Sequence, residues 1–340
     1  MDCCGGGSLF MEPRSTYSPT LSDETLRKLP DGRTLAYRIC GETAANCKQV
    51  VFAFHGALGT GDFDHWSYIF QKLGWLVISP TLPGWGLSSA NPCYTLNHYA
   101  KYDIKHLTDH IFDTVLGSNT KLERSFLCIG ISYGCIHAIA CAVHLSEQVS
   151  GLCLLGPHGP FDDPSFDPLQ GMAFQSKLGL GTVGFYMPSM TSITGKMVQT
   201  SVSTPSKARE FVKTNLLDAM NDAEKQHFAA ASKDLQNKVA SGEGIRDSLS
   251  VSIQGYVDIP VVLRSWSVKD LQKIECPSHI FVANDDVQTP VHGARYIHEK
   301  LQEYGKRSKL TEFDKGGHMT LVFCFDECLE AFVKESSESS

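Results

Sequence analysis

Gly130-Ile131-Ser132-Tyr133-Gly134 is the stretch on which the reading of this chain turns. Before it stands a short apolar run, Ser125-Phe126-Leu127-Cys128-Ile129. After it, residues 133–145 carry apolar side chains at helical spacing. The pattern predicts a strand, a tight turn with serine at its apex, and a helix. Such a turn strains the serine backbone, and side chains at the two glycine positions would collide with the adjacent strand and helix. The N-terminus of the helix would then lie beneath the serine, where its free N–H groups favour developing negative charge. The pentapeptide does not decide the matter alone, because glycine makes up 29 of the 340 residues and a turn of small residues arises easily by chance. The segments around it decide.

Residues 26–29 and 34–40 flank Asp31-Gly32, a hairpin signal. The runs 50–54, 75–79 and 149–155 predict buried strands, with helical patterns over 64–73 and 94–116 between them. Alternation at this spacing predicts an α/β fold: a mostly parallel sheet flanked by helices, after an antiparallel start. The alternation stops at Gly156-Pro157. It resumes with a strand over 279–283, a helix over 291–301, a strand over 309–313 and a helix over 320–333. Between the two halves lies 158–260, with helical stretches over 207–215 and 222–239, which reads as an inserted, mainly helical cap. The core is therefore expected at 26–157 and 261–335. Residues 1–25, rich in Gly, Ser, Pro and Thr, predict a disordered tail.

Composition bounds the function. With 42% hydrophobic and 20% charged residues the chain is an ordinary globular mixture, large enough for one core and an insert. The net charge is -7 and no basic run stands out, which argues against a nucleic-acid partner. No apolar run reaches membrane-spanning length, and the first residues lack the pattern of a signal peptide. Twelve cysteines in that context predict reduced thiols and a cytoplasmic protein. Cys-x-x-Cys is absent, and His106 and His110 have no third ligand nearby, so no metal or other cofactor is expected. Cys3 and Cys4 offer sites for S-acylation and membrane association, but without a second membrane signal an unmodified tail is expected.

A serine hydroxyl needs a base to take its proton, and the base needs an orienting carboxylate. Functional groups of open α/β sheets gather at the carboxyl ends of the strands. The strand over 279–283 is followed by Asn284-Asp285-Asp286-Val287-Gln288-Thr289-Pro290, and the strand over 309–313 by Asp314-Lys315-Gly316-Gly317-His318-Met319. The candidates therefore run Ser132, Asp286, His318 in chain order, with Asp285 as the neighbouring acid. Each alone has a plain structural reading as a turn or helix-start residue. Three such residues at three strand ends point together to nucleophilic catalysis.

At this point the chain resembles the α/β-hydrolase superfamily, over about residues 26–157 and 261–335. The resemblance is carried by His55-Gly56, Pro83-Gly84-Trp85-Gly86-Leu87-Ser88, Gly130 to Gly134, Asp286 with Pro290, and Gly317-His318. In that family the acid usually stands a few residues before a proline, which implies Asp286 over Asp285. One oxyanion-hole N–H comes from the loop after the third strand, implying Ala57, with Leu58 as second choice. The other comes from the residue after the nucleophile, implying Tyr133. Family members place a cap where 158–260 falls. Thr81 stands where many members have Asp, a departure outside the triad.

The expected function is hydrolysis of a carboxylic ester of a small or medium apolar molecule through an acyl-enzyme. Serine at the elbow suits esters, thioesters, amides and some carbon–carbon bonds. The alternatives are a ligand receptor or non-catalytic scaffold on the same fold, and an acyltransferase. Trp85, His158, Phe161, Met187 and Trp266 are the candidates for lining a substrate pocket; each also fits ordinary packing.

Overall fold

β1 (Thr25–Lys28) and β2 (Thr34–Gly41) pair antiparallel around Asp31-Gly32. The computed structural model describes residue 21 and residues 23–117 and 122–338. β3 (Gln49–Phe54), β4 (Trp75–Pro80), β5 (Phe126–Ile131), β6 (Val149–Leu155), β7 (Ser278–Ala283) and β8 (Ser308–Phe313) complete one eight-stranded sheet in the order β1-β2-β4-β3-β5-β6-β7-β8. β2 joins β4 antiparallel, and every pair from β4 to β8 is parallel. β4 and β7 are buried along their whole length because helices cover both faces, which explains their unbroken apolar runs. β8 is the half-exposed edge, and four of its six residues are polar.

Two hydrophobic clusters pack on the opposite faces of the sheet. One gathers Phe52, Phe54, Trp85, Tyr99 and Ile136; the other gathers Val51, Phe63, Trp66, Phe281 and Phe325. Helix Gly134–His144 packs into the first cluster, and ten of its eleven residues are buried. Its apolar run with two histidines is thus a core helix: His137 is buried between Tyr94 and the Tyr133 carbonyl.

Between β6 and β7 the chain forms short helices, including Phe174–Leu180, Pro188–Ser201, Pro205–Val212, Asp222–Ala230, Lys233–Ser241 and Gln254–Val262. The helical stretch expected over 222–239 is two helices, broken at Ala231 where Ser232 caps the second by accepting from Leu235 N–H. Likewise 320–333 divides at Cys324 into Thr320–Phe323 and Phe325–Glu338. The expected insert boundary at 260 falls inside helix Gln254–Val262, which carries Pro260 within it. The insert is fastened to the loops after β3 and β4 by backbone bonds from Gly86 to Ser248 and from Gly255 to Gly84, and by an ion pair of Lys238 with Asp62 at 2.5 Å.

The expected tail at 1–25 is corrected at its end; its residues 1–20 and 22, with Cys3 and Cys4, lie outside the described residues. Leu21 is 1% exposed, and Glu24 is buried and accepts a hydrogen bond from Thr81. The tail-like composition of 1–25 concealed Leu21 and the Glu24 carboxyl group, which reach the core. Among the described residues no helix is long and apolar enough to cross a membrane.

Candidate active site

β5 ends at Ile131 and helix Gly134–His144 begins three residues later, leaving Ser132 at the bend. Ser132 has φ +52°, and Leu58 with φ +61° is the other non-glycine residue in that region among the described residues. Both lie in loops at the carboxyl end of the sheet, where strain is tolerated because surrounding contacts fix the backbone. Those contacts are tight. A Cβ on Gly134 would lie 2.1 Å from the Phe54 carbonyl oxygen, and one on Gly130 would lie 2.5 Å from Cys135 Cα. The two glycines are therefore required by close backbone approach.

The loop after β3 presses on the serine: a Cβ on Gly56 would stand 3.3 Å from Ser132 Cβ. His55 latches this loop. Its Nδ1–H donates to the Gly56 carbonyl at 2.7 Å, and its Nε2 accepts from Leu82 N–H at 2.9 Å. Burial pushes its pKa down to about 4, so it stays neutral in this role. Among the described residues neither Ala57 N–H nor Tyr133 N–H donates a hydrogen bond, which leaves two backbone donors free beside Ser132.

Asp286 and His318 meet across the ends of β7 and β8, with His318 Nδ1–H donating to Asp286 Oδ2 at 2.7 Å. Asp286 is 3% exposed but fully served: Gln288 and Thr289 N–H donate to Oδ1 at 2.7 and 2.9 Å, and the Thr289 hydroxyl to Oδ2 at 2.7 Å. Burial alone would raise its pKa. The His318 charge and hydrogen bond and the Thr289 donors override that and hold the carboxyl below its usual value. Burial would likewise lower His318, but Asp286 raises it, with a smaller push from Glu224. Asp285 is exposed and instead accepts from Gly316 N–H at 3.2 Å.

Ser132 and His318 converge on the turn after β6. Ser132 N–H donates to Leu155 O at 2.7 Å, and a Cβ on the next residue, Gly156, would lie 3.4 Å from His318 Cε1. His158, two residues on, is 7% exposed with its Nδ1 unpartnered among the described residues. Burial takes its pKa to about 4; the His318 charge lowers it further while Asp286 opposes. His158 is thus a neutral imidazole beside the pair. The other pocket candidates have varied surroundings. Trp85 is fully buried against Gly255 at the seam with the cap, and Trp266 is core. Phe161 lies 4.2 Å beneath the Arg264 guanidinium, and Met187 is 48% exposed on the cap.

Sequence reading missed Glu224. Asn221 and Glu224 form a reciprocal capping box at the start of helix Asp222–Ala230. Glu224 Oε2 serves that box, while Oε1 accepts from Met319 N–H at 3.0 Å, beside His318. This carboxylate also accounts for Gly317, whose Cβ would stand 2.6 Å from Glu224 Oε1. The Asn-x-x-Glu pattern was visible in the sequence as a helix start; its reach to a loop 95 positions away was not.

The sequence matches the alpha/beta hydrolase family over residues 50–335, so the chain belongs to that family. Solved structures with the same fold include an esterase from Exiguobacterium antarcticum, at 20% identity and TM-score 0.59, matched over 91% of this chain and 99% of that one. An enol-lactonase from Burkholderia xenovorans matches at 15% identity and TM-score 0.60 over 91% and 100% of the two chains. A bromoperoxidase from Bacillus anthracis matches at 16% identity and TM-score 0.60 over 92% and 99%. No curated protein sequence matches this chain.

Proposed function

We propose that the chain is a serine hydrolase acting on carboxylic esters of small or medium apolar molecules through an acyl-enzyme. The observation that carries the reading is the 2.7 Å bond from His318 Nδ1–H to Asp286. A proton held on Nδ1 leaves Nε2 as the basic nitrogen, the form a general base requires. Ser132 Oγ attacks the ester carbonyl carbon while Nε2 takes its proton. Ala57 and Tyr133 N–H groups face the oxyanion of the tetrahedral intermediate, and the leaving alcohol takes the proton back as the C–O bond breaks. Water then gives a proton to the same nitrogen as it attacks the acyl carbon, and the acid leaves as the acyl carbon–Oγ bond breaks and Nε2–H returns that proton to Ser132 Oγ. Asp286 stays ionised throughout and stabilises the imidazolium that forms at each step. The esterase from Exiguobacterium antarcticum, which shares the fold, is consistent with this chemistry.

The test uses nitrophenyl esters of increasing chain length. Ser132→Ala is expected to lower kcat by about 10^4-fold or more and to abolish labelling by a fluorophosphonate. Unchanged turnover or labelling overturns the assignment. Tight binding with negligible turnover would favour the receptor reading, and a new ester formed from added alcohol would favour the acyltransferase.

A further inference from the structure

Helix Pro188–Ser201 turns its small residues inward. Thr191 and Gly195 are buried, and a Cβ on Gly195 would lie 3.1 Å from Tyr256. The opposite face carries Met190, Ile193 and Met197, exposed by 44, 54 and 65%. Spacings of three and four set these side chains along one stripe, where a surface helix ordinarily carries charge. The preceding short helices add Phe174, Leu178 and Tyr186, and the N-cap position adds Met187. Among the described residues, seven of the fourteen exposed large hydrophobic ones thus fall within positions 174–197. Scattered exposed apolar residues need no explanation, but a concentration of this kind marks a contact surface.

Charge indicates what it contacts. The chain has 37 acidic residues in 340, yet none occurs between Asp167 and Glu210. That interval carries Lys177, Lys196, Lys207 and Arg209, all exposed and none ion-paired among the described residues. A groove of about 420 Å³ beside the stripe is lined by Ile193, Lys196, Met197, Thr200 and Ser201. A two-fold contact with a second copy would bring this basic face against itself. A bilayer containing anionic lipid instead accepts the apolar side chains and supplies the opposite charge.

We propose that the outer face of the cap over residues 174–201 docks on the surface of an anionic phospholipid bilayer. The face begins beside the candidate site: Ala173 N–H donates to the carbonyl of Val287, the neighbour of Asp286, at 2.9 Å. Docking does not depend on the chemistry at Ser132.

The experiment is flotation of the full chain, carrying Cys3→Ser and Cys4→Ser to remove any thioester, with phosphatidylcholine vesicles with and without phosphatidylserine. Binding is expected only with phosphatidylserine and is expected to be reversed by salt. Met190→Gln/Ile193→Gln/Met197→Gln and Lys177→Glu/Lys196→Glu should each weaken it about tenfold or more, with the thermal midpoint unchanged. Absence of binding overturns the proposal, as does binding indifferent to phosphatidylserine and salt. A concentration-dependent dimer dissolved by the apolar triple variant, without vesicle binding, overturns it in favour of a second copy. Salt dependence measured on the unsubstituted stripe keeps the test open if a variant fails to fold.

Discussion

At the sheet rim a methyl group added to Gly134 would lie 2.1 Å from the Phe54 carbonyl oxygen; in cap helix Phe174–Leu180, one added to Gly179 would meet nothing within 4 Å. The same residue type thus marks opposite conditions. In the core, glycine exists because backbones approach too closely for any side chain, and the approach holds Ser132 in its strained turn. At Gly179 the residue instead loosens a short helix whose Phe174 and Leu178 side chains face outward, unlike Gly184 and Gly255 elsewhere in the cap, which are closely met. Groups that need fixed geometry lie where neighbours permit no alternative, while the surface that meets something external lies where neighbours are few.

The comparison can be broken most directly by substituting the two glycines. Gly134→Ala forces β3 and the elbow apart and is expected to destabilise the fold by about 3 kcal/mol or more. Gly179→Ala is expected to be neutral or to stabilise by up to about 1 kcal/mol. Urea denaturation of both variants checks the contrast, and equal effects would remove it.

Glu24 sharpens the picture within the core. Burial pushes its pKa up to about 7 from 4.5, against opposing effects of Thr81 and Arg38. Because the folded value is the higher one, the neutral acid favours folding. The contribution is present below pH 4.5 and is lost as pH rises to about 7, by about 3 kcal/mol. Glu24→Gln should therefore gain thermal stability relative to the parent between pH 5 and pH 8; parallel curves would show that Glu24 does not titrate there.

The smallest expected effect concerns the bridge between the two regions. Glu224→Gln keeps the side-chain length but leaves one oxygen to serve both Asn221 and Met319. It should lower kcat/KM about tenfold, the worth of roughly one hydrogen bond. Its lost charge no longer favours the His318 imidazolium, which Asp286 still does and the nearby neutral His158 does not. The acid limb of the pH–rate profile should therefore move to lower pH. A purely structural role would lower activity and leave the limb in place.

The frame of the sheet was legible because alternating strands and helices impose two distinct periods, and because Ser132, Asp286 and His318 each follow a strand. The expected strand over 149–155 matches β6 end to end. The cap resisted reading for a physical reason. Its helices are short and interrupted by glycines, as at Gly179, Gly181 and Gly184, so no period lasts long enough to stand out. Glu224 is a capping residue by pattern and a partner of the His318 loop only by tertiary placement. The departure at Thr81 acquires a meaning in the structure: the carboxyl group expected at that position arrives from Glu24 through the Thr81 hydroxyl.

The bond from Met319 to Glu224 also ties two distant segments together. Lifting the helix that carries Glu224 breaks a charge-assisted hydrogen bond of about 1.5–3 kcal/mol. The same displacement would pull on Met319, the residue after His318, so this cap helix and the His318 loop do not move independently.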